Sequence, residues 1–279
     1  MDYGYIHLGI PVGSAQYKHE HLHALVDQFI TDGQCDEIVQ DAQTKWVYLL
    51  WVIRQKFPFW FRHMCPSITS TVKDKLETHM RNKFDSILGQ PCTDKEWDQV
   101  CLPTKTHGCG LGRPKDIITS AFAANIQETI ETVKTKFPAT NTYLELLNSS
   151  TDIFDAHLFE SDEIMLFVRY AREKKNFVTE AATSLDELNI LEAHDNDPNS
   201  KPTTTQHFYS DLINRCRAKE MEELMLDHGS DVERARFLSN NGSFAGAWLF
   251  NVPKDKHSTM STTEFRIALK LRLGVEFRH

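Results

Sequence analysis

Between residues 71 and 88, Val72, Leu76, Met80, Phe84 and Leu88 recur at every fourth position, with Ile87 beside them. That spacing lays one apolar stripe along an α-helix, and Lys73, Lys75, Arg81 and Lys83 fall largely off it. One face must find a core and the flanks are basic. The same period recurs elsewhere. Leu22, Leu25, Val26 and Phe29 predict a helix over 17–31, and Trp46, Leu49, Leu50, Ile53 and Phe57 predict another that Pro58 stops. Ile117, Ala121, Ala124, Ile130 and Val133 place a helix at 116–137, and further helices are expected near 152–173 and 206–227. Ser261 and Glu264 form a capping-box pattern ahead of a last helix. Residues 89–115, with three prolines and four glycines, read as a structured connection without a regular element, and 191–206 as a flexible linker. The chain shows no repeat of fixed period.

A chain of 279 residues with 41% hydrophobic and 25% charged residues can bury a sizeable core and is neither a disordered tail nor a rod. Six cysteines are too widely spread for a disulfide framework, so reduced thiols are expected. The first residues lack the basic and apolar segments of a secretory signal, and no apolar run reaches membrane-span length. The expectation is an intracellular protein, cytoplasmic or nuclear, that does not cross a bilayer. The formal net charge of −8 hides a blocky distribution. The net is −6 over 1–44, +6 over 45–84, −1 over 85–137, −10 over 138–237 and +3 over 238–279.

Several residue patterns invite chemistry. His19-Glu20-His21-Leu22-His23 fits H-E-x-x-H, in which two histidines one helical turn apart bind zinc and the glutamate activates its water. A third ligand is missing at the expected spacing, with Glu37 the nearest carboxylate, so a solvent-facing histidine-rich helix is the expected reading over a zinc hydrolase. Cys92, Cys101, His107 and Cys109 are zinc-type donors, but their spacings suit buried inert thiols better than a structural site. Gly108, Gly110 and Gly112 alternate without the strand and Gly-Lys-Ser/Thr context of a phosphate cradle, which favours a tight turn. No metal or other cofactor is expected. Arg54, Lys56, Lys73, Lys75, Arg81 and Lys83 suit a nucleic-acid backbone, and equally a solvated face that binds nothing. Trp46, Trp51, Phe57, Phe59, Trp60 and Phe61 could stack on bases, form a helical core or line an interface.

In order along the chain, four blocks resemble the C-terminal part of reverse transcriptases of non-LTR, LINE-like retroelements. Leu8, Gly9, Ile10, Pro11, Gly13 and Ser14, within His7-LGIPVGS, look like the primer-grip hairpin of that family. WVYLLWVIRQKFPFWFRHMCPSI at 46–68 resembles the opening of the thumb. WDQVCLPTKTHGCGLGRPKDI at 97–117 is similar to the family's "LP…GGLG" segment. Gly246-Ala247-Trp248-Leu249 with Glu264-Phe265-Arg266 through Arg272-Leu273-Gly274 is similar to its "GAWL…EFR.AL..RLG" block.

The resemblance implies a predominantly α-helical fold: a short hairpin remnant at 1–14, a thumb-like helical bundle at 15–137, an acidic helical region at 138–241 and a C-terminal helical segment at 242–279. The family's catalytic aspartates lie upstream of the primer grip, and Asp2 alone cannot replace them. The expected molecule is therefore a non-enzymatic retroelement remnant, with weak, non-specific RNA or DNA binding and self-association through exposed apolar surface. A helical protein-interaction module and an inert pseudogene-like product are the alternatives.

Overall fold

The computed structural model describes residues 4–32, 39–64, 66–118, 121, 122, 124, 125, 136 and 205–276. The expected helix at 152–173, the residues Asp2 and Glu37, most of the acidic region and the linker up to residue 204 lie outside the described residues.

The fold is predominantly α-helical and opens with a short β-hairpin. Strands β1 (Gly4–His7) and β2 (Ile10–Gly13) pair antiparallel, Tyr5 opposite Val12 and His7 opposite Ile10. The two-residue turn holds Leu8 and Gly9 at φ 49° and 82°, both in the left-handed region that such tight hairpins require. Helix α1 (Ala15–Asp32) follows and buries Leu22, Val26 and Phe29. Helix α2 (Ala42–Tyr48) runs through a π turn (Leu49–Ile53) into α3 (Arg54–His63). The short α4 (Pro66–Thr69) leads to α5 (Lys73–Leu88), whose expected stripe is fully inward: Val72, Leu76, Met80, Phe84 and Leu88 are all 0% exposed.

Two expectations are corrected here. Pro58 does not stop the helix but lies inside α3. A proline within a helix costs about 3 kcal/mol, while burying each large apolar side chain returns about 1.5–3 kcal/mol. Phe57 and Phe61, both 0% exposed, carry the stripe across it. The second correction is α6 (Asp94–Cys101), a regular helix inside the stretch expected to have none. Thr93 and Glu96 form a capping box at its start, each side chain bonded to the other's backbone N–H.

After a 3-10 turn (Thr104–Thr106), residues 114–118 are helical, as are 121, 122, 124 and 125. The chain is described again from α7 (Thr205–His228), which includes the last two residues of the expected linker. Helix α8 (Asp231–Ser239), a 3-10 turn (Ala247–Phe250) and α9 (Thr262–Leu273) complete it. Ser261 caps α9 through the expected box, and Gly274, at φ 72°, ends it in the left-handed conformation. Leu249, Phe265, Leu269, Leu273 and Val275 belong to the same core cluster as the stripes of α1 to α6. Thus the C-terminal segment closes the N-terminal bundle. Among the described residues no helix is long and apolar enough to cross a membrane.

The cap of α8 makes stability sensitive to acid. Glu233 accepts from the backbone and hydroxyl of Ser230 and pairs with Lys95 at 3.2 Å, and these contacts pull its pKa from 4.5 down to about 2. The folded value is the lower one, so this contribution is complete above pH 4.5 and disappears as pH falls toward 2. Acid titration followed by circular dichroism should therefore show helix loss over that window, and the Glu233→Gln variant should lose this group's share of it.

Candidate functional site

Among the described residues, the glycine-rich loop and α9 build a densely hydrogen-bonded centre. Leaving α6, the chain folds back so that its amides donate to the carbonyls at that helix's end. Cys109 and Leu111 donate to Val100 O (3.3 Å each), Gly112 to Cys101 O (3.0 Å) and Gly110 to Leu102 O (2.7 Å). Gly110 and Gly112 sit at φ 83° and 71°. Gly108 is required for another reason, since a Cβ there would lie 2.0 Å from Leu102 O. These N–H groups are spent on the backbone and cannot cradle a phosphate.

The loop instead presents its carbonyls to Arg272, which is 5% exposed. Nε and Nη2 of Arg272 donate to Gly108 O at 3.0 and 2.6 Å, and Nη1 donates to Ala245 O at 3.1 Å. Nη2 also approaches Asn240 O and Thr104 O at 3.3 and 3.4 Å. The backbone carbonyl of Arg272 in turn accepts from Gln99 Nε2, Asn240 Nδ2 and the Arg236 guanidinium. A second tie joins α2 to the C-terminal segment. Trp46 Nε1 donates to Leu249 O at 2.9 Å, while buried Gln43 donates to Asn251 O and Ser258 O and accepts from the Met260 amide.

The zinc-type donors of this region are separately employed. His107 Nδ1 donates to Phe237 O at 2.8 Å, with its ring stacked on Phe237. Cys92, Cys101 and Cys109 are buried free thiols. Burial pushes Cys92 up to about 12 and Cys109 to about 11, with the Arg272 guanidinium opposing the latter shift, and raises Cys101 as well. Among the described residues, no three His, Cys, Asp or Glu side chains gather around a metal position.

The basic residues do not form one open patch. Arg54 Nη1 donates to Gly110 O at 3.0 Å, and burial lowers its pKa. Arg81 bonds Asp94 and Cys92 O, each at 2.6 Å. Lys75 pairs with Asp27 of α1, and Lys56 Nζ lies 5.4 Å above the Phe29 ring. Lys73 and Lys83 flank the α5 stripe, half-buried. Arg54 and Arg81 are thus structural, and Arg81 is half-buried. The aromatic residues divide similarly: Trp46, Phe57 and Phe61 are core, whereas Trp51 is 57% and Phe59 44% exposed. Beside them Val52, Gln55, Lys56 and His63 face outward, with the Phe59 and His63 rings 4.9 Å apart. The π turn, which periodicity does not reveal, carries Trp51.

On the N-terminal hairpin, Pro11 is buried and Ile10 half-buried, while Leu8 is exposed at the tip and Gly9 and Gly13 are open. Ser14 Oγ accepts from the Tyr17 amide at 3.2 Å. Glu20 accepts from Gln16, and His19 and His23 face each other on α1. A cleft between α6 and α7, unseen in the sequence, is lined by Asp98, Arg113, Asp116, Arg217 and Met221. Its charges pair internally, Arg113 with Asp98 and Glu77, Arg217 with Asp116 and Glu220. No family model, curated protein or solved structure matches the chain.

The Arg272 centre predicts large stability effects. Arg272→Met should lower unfolding stability by roughly 3 kcal/mol or more, since each dry carbonyl left unpaired costs about 1–3 kcal/mol. Arg272→Lys should recover only part of that, because an ammonium cannot span the fork. Gly108→Ala should be comparably damaging, all three read by urea denaturation.

Proposed function

We propose that this chain is the helical, thumb-side part of a LINE-like reverse transcriptase and holds RNA or DNA weakly without contributing catalytic chemistry. The reading rests on the ordered sequence resemblance, and one structural observation supports it most. The α2–α3 helix, which supplies much of the core, also turns Trp51 and Phe59 to solvent beside Lys56 and His63. Exposed aromatic faces beside a lysine suit bases stacked along a phosphate backbone. The +6 balance of residues 45–84 favours the same ligand, although Arg54 and Arg81 are committed to the fold. Binding therefore relies on stacking at Trp51 and Phe59, assisted by Lys56, Lys73, Lys75 and Lys83.

A protein-interaction role is the second reading, favoured by the hairpin. Tyr5, Ile6, Leu8 and Val12 are all exposed on a two-stranded sheet, an arrangement that invites pairing or self-association.

Fluorescence anisotropy with labelled oligonucleotides tests the proposal. Affinity should fall with salt, with a log-log slope of about 0.7 per phosphate contact on a single strand. Trp51→Ala combined with Phe59→Ala should weaken binding about tenfold or more, since each stacked base is worth roughly 1–3 kcal/mol. Reversing Lys56, Lys73, Lys75 and Lys83 to Glu should abolish it, with the circular dichroism spectrum retained. Unchanged binding in both variants, or none at low salt, rejects the reading in favour of the interaction role.

A further inference from the structure

His19 and His23 lie one helical turn apart on α1, with ring centroids 4.3 Å apart and planes inclined by 32°. Imidazoles four residues apart on a helix can reach one ion together. A neighbouring residue has already oriented one of them. Thr71 donates its single hydroxyl hydrogen to Ile68 O at 2.6 Å, so its oxygen has only lone pairs to offer His23 Nε2, 3.0 Å away. The proton between them is therefore on Nε2, which leaves the Nδ1 lone pair of neutral His23 as a donor to metal. A metal-binding histidine commonly has its second ring nitrogen fixed in this way by a hydrogen-bond acceptor.

From this geometry we infer that His19 and His23 chelate one late-transition divalent cation, of the Cu²⁺, Ni²⁺ or Zn²⁺ class. Glu20 is held by Gln16 and Asp27 by Lys75, so neither carboxylate is offered to the ion. This arrangement differs from a hydrolytic zinc centre, because no third protein ligand fixes the ion. Imidazole donors select against Mg²⁺ and Ca²⁺, and affinity should be highest for Cu²⁺. A bound ion would staple the first turns of α1 and, through Thr71, tie them to the 68–71 turn. The inference does not depend on the nucleic-acid reading.

Isothermal titration of the full chain with CuCl₂, NiCl₂, ZnCl₂ and MgCl₂ at pH 7.5, alongside thermal melts, provides the test. One equivalent of each transition metal should bind and raise the melting temperature, with no response to Mg²⁺ and much weaker binding at pH 5.5. His19→Gln and His23→Gln should each abolish binding, while His21→Gln retains it. Thr71→Val, which keeps both imidazoles, should weaken affinity by about 10- to 100-fold. No binding at millimolar metal, or binding that survives His19→Gln and His23→Gln, overturns the inference. Binding indifferent to Thr71→Val overturns the assigned role of Thr71.

Discussion

Arg272 occupies the point at which the chain's distant parts meet. Its guanidinium reaches four backbone carbonyls, those of Thr104, Gly108, Asn240 and Ala245, and its own carbonyl collects Gln99, Asn240 and Arg236. A buried cation would ordinarily need a carboxylate. Here a fold-back loop supplies oriented carbonyl dipoles instead, and it can do so only because Gly108 admits Leu102 at close range and Gly110 and Gly112 tolerate left-handed backbone. The loop is held by the carbonyls at the end of α6, and its own carbonyls anchor α9 on that side. Gln43 and Trp46 tie the segment that precedes α9 to α2, so the C-terminal segment closes the bundle at two places.

This arrangement gives the resembling blocks a physical meaning. The 46–68 block, the glycine loop and the final block contribute to one core and one hydrogen-bond network, so their glycines, Trp46 and Arg272 serve the fold before any ligand. What remains for binding is the part of those blocks that the core leaves uncovered, Trp51 and Phe59 above all. The proposed nucleic-acid role therefore rests on different side chains from those a count of positive charges selects.

The helical stripes were legible because burial imposes a period on neighbouring residues. Val72 through Leu88 and the Ser261 cap needed only local sequence. Helix α6 was legible too, through Thr93 and Glu96, but the surrounding prolines and glycines outweighed that short signal. The role of Arg272 was not, since its partners lie 27 to 173 residues away. Similarly, Arg54 and Arg81 look like surface cations until Gly110 and Cys92 are brought beside them. Pro58 looks like a helix stop because propensity is local, whereas the burial of Phe57 and Phe61 that overrides it is tertiary.

A bundle closed through Arg272 should open as one unit. Native-state hydrogen exchange measures this directly, because the amides of Gly110, Leu111 and Gly112 and of α9 report on the closure while those of Leu76 and Met80 report on the interior. The account predicts one common opening free energy for all of them, equal to that of global unfolding. Rapid exchange of the loop and α9 while the α5 amides stay protected would show that the C-terminal segment is an appendage and contradict the account.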